Sequence, residues 1–113
     1  MNIAKGKAAQ KIVVQYLQKH NYLILDQNLS TKFGEIDILA RDKNTLVFVE
    51  VKSKLSLNSG EAAEQVTPRK LRHMVLSSQA VAKSLKWENE VRLDLICVEQ
   101  SKISAHIQNL ELS

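Results

Sequence analysis

Two runs decide how this chain is read: Gly34-Glu35-Ile36-Asp37-Ile38-Leu39-Ala40 and, shortly after, Val47-Phe48-Val49-Glu50-Val51-Lys52. Residues 35–41 alternate and residues 46–52 are rich in Val, so both read as strands. Asp42-Lys43-Asn44 between them is a turn, and the simplest pairing is a hairpin. Charges inside apolar strands cost several kcal/mol unless they are paired or bind a cation, so Asp37, Glu50 and Lys52 are seldom there for packing alone.

Side chains alternate along a strand, so Glu35 and Asp37 should share a face, as should Glu50 and Lys52. If the hairpin brings those faces together, four charged groups converge. Hard divalent cations such as Mg²⁺ or Mn²⁺ take oxygen ligands and need only one or two carboxylates besides water and substrate phosphate. Asp37 and Glu50 are the expected ligands, with the Val51 carbonyl as a further one and Glu35 as an outer ligand. Lys52 would orient an attacking water or offset negative charge on the phosphate. The plainer alternative is a set of exposed strand charges, with Asp37 capping a turn. The apolar character of residues 47–51 speaks for a central strand and against that alternative.

Outward from the hairpin, residues 4–20 read as a helix in which Ala9, Ile12, Val13, Tyr16 and Leu17 recur at three- and four-residue steps. Asn21 ends it. Residues 22–25 form a short apolar strand, residues 26–33 a polar connection, and residues 53–60 a polar loop. Thr67-Pro68 is a helix start, with Thr as N-cap and Pro at the first helical position. That helix should run to about Lys86, and residues 61–66 add a preceding turn. Residues 91–98 are a strong strand and 103–107 a weaker one. The expected order is α-β-β-β-α-β-β, a mixed sheet with helices against it.

At 113 residues, with 44% hydrophobic and 25% charged residues, the chain has the length and composition of one globular domain and not of a disordered segment. Cys97 is alone, and with no secretory or membrane-spanning segment in view the expected address is the cytoplasm. His20, His73 and His106 lack ligand spacing, which disfavours zinc. The net charge of +4 suits a polyanion. Lys5, Lys7, Lys11 and Lys19 fall in the first helix, and Arg69, Lys70 and Arg72 open the second, so two basic clusters could flank the acidic centre. Solvated helix faces would have the same composition.

The combined order of these features resembles the YraN family of bacterial proteins, a minimal branch of the PD-(D/E)xK nuclease superfamily. The residues that carry the likeness are Gly34-Glu35-Ile36-Asp37, Phe48-Val49-Glu50-Val51-Lys52, Tyr16-Leu17, Gln65-Val66-Thr67 with Lys70, and Arg92-Leu93-Asp94. The resemblance implies a restriction-endonuclease-like α/β core over residues 1–113, similar to that of archaeal Holliday-junction resolvases. By the same resemblance Asp37 matches the motif's first acid, Glu50 its second, Lys52 its lysine, and Glu35 the other acid of the strand. Gln65 and Lys70 fall where related nucleases carry helix residues that assist the site or touch phosphate. One departure stands out: where the family commonly has Gly-Glu in the first helix, this chain has Ala9-Gln10. Gln10 can still hold a metal-bound water, but it brings no charge.

The expectation is a nucleic-acid-binding, Mg²⁺- or Mn²⁺-dependent endonuclease acting on DNA in preference to RNA, branched or repair intermediates included. Lys7, Lys11, Arg69, Lys70 and Arg72 would grip phosphates, and no membrane is involved. A homodimer would ease the cutting of two strands, with the sheet edge near residues 103–107 as one candidate contact. The rivals are a binding module of the same fold, weak or inactive in cleavage because of Gln10, and an adaptor whose partner is another protein.

Overall fold

A computed structural model describes residues 3–53 and 66–111. The elements are α1 (Ile3–Lys19), β1 (Leu23–Thr31), β2 (Gly34–Asp42), β3 (Thr45–Ser53), α2 (Pro68–Ser84), β4 (Glu90–Glu99) and β5 (Lys102–Ile107). The strands form one five-stranded sheet in the order β1-β2-β3-β4-β5. All neighbours are antiparallel except β3 and β4, which run parallel and are joined through α2. A parallel pair needs a crossover rather than a turn, and α2 supplies it.

Most of β3 is buried between its two neighbours, as its Val-rich sequence leads one to expect. On one side of the sheet, Ala9, Val13 and Leu17 of α1 recur every four residues and pack on Ile38, Ala40, Val47, Val49, Ile96 and Val98. On the other, Leu71, Met74 and Val81 of α2 cover Ile36, Leu39, Leu46, Phe48 and Leu93. Full burial of Phe48 alone contributes roughly 2–3 kcal/mol.

Local chemistry sets the ends of the elements. Asn21 (φ 68°) closes α1 in the left-handed region that Asn tolerates. Gly34 (φ 136°) completes the β1–β2 turn in a conformation that favours glycine, and Thr31 Oγ1 there accepts from the Phe33 amide and donates to the Gly34 carbonyl. Gln100 and Ser101, both with positive φ, make the tight turn between β4 and β5. Thr67 Oγ1 caps α2 by accepting from the Lys70 amide at 3.1 Å, with Pro68 at the first position. The helix stops at Ser84, two residues short of the expectation, because Lys86 (φ 54°) turns left-handed and its amide, with that of Trp87, closes back on Lys83 and Ala82.

The first strand corrects the sequence reading. Residues 26–31, expected as a polar connection, continue β1 to Thr31. The strand lies at the sheet edge and is mostly exposed, so its polar side chains stay hydrated while the ladder with β2 satisfies the backbone. The expected loop at 53–60 falls outside the described residues apart from Ser53, which ends β3, and so does the expected helical turn apart from Val66. Among the described residues no helix is long and apolar enough to cross a membrane.

Candidate active site

The register between β2 and β3 runs from Asp42↔Thr45 to Ile38↔Val49 and stops there. One step further along, the Val51 amide donates to the side chain of Asp37, reaching Oδ2 at 2.8 Å. The hairpin ladder therefore ends on a carboxylate. Glu50 lies beside it, on the face of β3 that also carries Phe48 toward α2.

Glu50 is a buried acid, 7% exposed. Burial, and next the neighbouring charge of Asp37, push its carboxyl up to about 7, against the opposing pull of Lys70 and Lys52. Lys70 Nζ of α2 lies 3.4 Å from Glu50 Oε2, nearer than Lys52 Nζ at 3.9 Å. Two acids and two ammonium groups thus meet where β2, β3 and the first turn of α2 come together. Both lysines remain partly exposed, so each can turn toward a ligand.

The other expected residues fall differently. Glu35 is exposed, and among the described residues no hydrogen bond or ion pair joins it to Asp37, Glu50 or Lys52. The expected common face for Glu35 and Asp37 does not follow from simple alternation: Ile36 packs with the α2 core and Ile38 with the α1 core, so the strand changes face at Asp37. Gln10 donates to Gln27 Oε1 of β1 at 3.1 Å instead of reaching the acids. Arg69 and Arg72 are exposed on α2, and Lys7 and Lys11 on α1. Gln65 lies outside the described residues. Val51 meets the site through its amide, with its carbonyl in the same strand segment.

Two carboxylates, not three, therefore come together, and among the described residues no group of three or more His, Cys, Asp or Glu converges. The pair fits a hard divalent cation nonetheless, since a magnesium-type site needs only one or two carboxylates and completes its shell with water and phosphate. An acid whose carboxyl is raised first by burial and then by a neighbouring acid is a donor set short of positive charge.

A second polar cluster, on the α1 side of the sheet, was not legible in the sequence. Asp94 of β4 is fully buried. It accepts two hydrogen bonds from Arg92 at 2.9 Å, one from the Asn109 amide at 3.1 Å, and one from His106 Nε2 at 2.8 Å. The other ring nitrogen of His106 meets the Tyr16 hydroxyl at 2.8 Å, and Arg92 also donates to Tyr22. Burial alone would raise Asp94, but these hydrogen bonds outweigh it and hold its carboxyl below the usual range. The network ties α1, the α1–β1 connection, β4 and β5 together, and among the described residues every buried side-chain polar atom is satisfied. Three features recoverable from sequence, Tyr16, Arg92-Leu93-Asp94 and a His in the last strand, belong to it, but nothing in their spacing says that they meet.

The comparisons with known proteins agree with this frame. A crystal structure of an fdxN element excision controlling factor protein from Anabaena variabilis superposes with a TM-score of 0.51 at 19% identity, over 89% of this chain and 98% of that one. An XisH family protein from Nostoc punctiforme gives 0.50 at 18% identity, over 88% and 98%. The shared fold is a restriction-endonuclease-like α/β core. In sequence, the chain is 37% identical over 107 residues to a UPF0102 protein of Persephonella marina, covering 93% of this chain and 90% of that protein. It is 38% identical over 107 residues to one of Thermodesulfovibrio yellowstonii, covering 95% of each. The description "Uncharacterised protein family UPF0102" matches residues 9–98, and with these relatives it places the chain in that YraN-like family.

Proposed function

We propose that the chain is a metal-dependent phosphodiester hydrolase that acts on DNA. The observation that carries this reading is the buried Glu50 beside Asp37 at the end of the β2–β3 ladder, with two lysines within ion-pair distance. Asp37, Glu50 and the Val51 carbonyl would hold Mg²⁺ or Mn²⁺. When bound, such an ion supplies charge neutralisation at phosphate and a more acidic water.

The chain's own residues do the rest. The Val51 amide donates to Asp37 Oδ2 and so fixes the carboxylate that would help to hold the cation. Lys52, on the strand that carries Glu50, would orient the attacking water and offset charge gathering on the phosphate. Lys70 adds a second ammonium from the crossover helix. Glu35, which stays outside the cluster, could act only through an intervening water. Arg69 and Arg72 extend the basic surface of α2, and the net charge of +4 favours a polyanionic substrate.

The runner-up is a binding module that grips nucleic acid without cutting it. It draws on the same geometry: two carboxylates converge where three were expected, and Gln10 is engaged with Gln27. Incubating supercoiled and branched DNA with Mg²⁺ or Mn²⁺ separates the two. Product from wild type, lost in Asp37→Ala and Lys52→Ala, supports hydrolysis. Salt-dependent binding with no product in either metal selects the module.

A further inference from the structure

On the α1 side of β1 lies a groove of about 220 Å³ lined by Lys7, Gln10, Lys11, Val14, Gln27 and Asn28. Lys7 and Lys11 are one helical turn apart and exposed, so both ammonium groups can reach the same ligand. The remaining polar lining is amide, and among the described residues the lining contains no carboxylate. The nearest acid in sequence, Asp26, lines the separate groove on the other side of β1, with Leu25, Leu29 and Val81. Positive charge with amide donors and no competing acid is the chemistry that takes a phosphate oxygen.

The backbone beneath this groove is unusual. Asn28 has φ 52° inside a strand, a left-handed conformation that Asn tolerates better than most residues. It sits between the pairs Gln27↔Ile38 and Leu29↔Ile36, which sets it across from Asp37. Gln27 and Asn28, which would face opposite ways in a regular strand, instead line the same groove. Strain of this kind persists where surrounding structure holds it, and it gathers at binding sites. Here it falls at the position where β2 itself changes face, and it presents a third side-chain amide beside the two lysines.

We propose that this groove is a subsite for one backbone phosphate of the DNA strand whose neighbouring phosphodiester lies at Asp37 and Glu50; the inference rests on the nuclease-like reading above. Paired strands lie about 4.8 Å apart, and phosphates of one DNA strand repeat about every 3.4 Å along its axis. Asn28 lies one strand spacing from Asp37, so a strand held in the groove brings a nearby phosphate toward the acids.

The test is the salt dependence of binding of the full chain to a short duplex DNA, read by fluorescence anisotropy with chelator present. The double variant Lys7→Gln/Lys11→Gln should lower the slope of log affinity against log salt by about one unit, the loss of one phosphate contact. Gln10→Glu, which places a carboxylate in the groove, should weaken binding roughly five- to tenfold at low salt. Lys83→Gln, an exposed lysine in the last turn of α2 and outside the groove, should keep the wild-type slope. A double variant with the wild-type slope, or an equal loss in Lys83→Gln, overturns the subsite while leaving DNA binding in place. Absence of salt-dependent binding by wild type overturns the subsite and the functional reading together.

Discussion

Lys70 Nζ approaches Glu50 Oε2 to 3.4 Å, closer than Lys52 of Glu50's own strand at 3.9 Å. The crossover helix thus contributes the nearer cation to an acid that β3 carries. Removing it should raise the Glu50 carboxyl further and take away one ammonium from the phosphate. Lys70→Ala is expected to slow DNA cleavage by roughly 10²-fold, the scale of losing one preorganised charge donor. Single-turnover rates beside Lys52→Ala would check this, and an unchanged rate would remove Lys70 from the machinery.

The raised carboxyl of Glu50 makes stability depend on pH with a defined sign. Its folded value of about 7 stands above the ordinary 4.5, so between those two pH values the folded chain holds the proton that the unfolded chain has released. Stability should therefore fall as pH rises from 4.5 to 7 and stay lowered above it. The upper bound is roughly 3 kcal/mol, at about 1.4 kcal/mol per pKa unit. Thermal melts in chelator should show wild type losing stability over that range while Glu50→Gln does not. At pH 8, Mg²⁺ should raise the Tm of wild type and leave that of Glu50→Gln unmoved. Identical pH profiles would show that this carboxyl is not the group concerned.

Asp94 should matter for folding and not for binding DNA. Its loss strands Arg92 and His106 of a satisfied buried network, a change that costs about 3–5 kcal/mol. Urea denaturation of Asp94→Ala should register that drop, while the remaining folded protein binds duplex DNA as wild type does. Loss of binding in folded protein would assign the network to the site instead.

The cap of α2 lends itself to a smaller test. Thr67→Ala removes the oxygen that accepts from the Lys70 amide and should cost about 1 kcal/mol in denaturant titrations. Because the same residue carries the site's nearer ammonium, cleavage should slow as well. Thr67→Ser, which keeps the oxygen, should restore both.

The hairpin was legible because alternation, Val content and a polar turn all point to one pairing, and a buried central strand follows from the apolar run around Glu50. The polar residues of β1 hid its length, since an edge strand with open faces does not need an apolar stripe to pair. Glu35 was set with Asp37 by a rule that holds for a regular strand, and the change of face between Ile36 and Ile38 breaks that rule. His106 offered no spacing to read: its partners lie 12 and 90 residues away, and only the pairing of β4 with β5 and the packing of α1 bring them within reach.

The spatial order of the strands repeats their order along the chain. Three of the four strand pairings can therefore form by closing a short loop, at little entropic cost, and the slow step left is the parallel joining of β4 to β3. Asp37 and Glu50 are brought face to face by the early meander, before Lys70 arrives with the crossover. Lys52 comes with that hairpin as the first counter-charge, and docking of α2 both completes the sheet and adds the nearer one, Lys70.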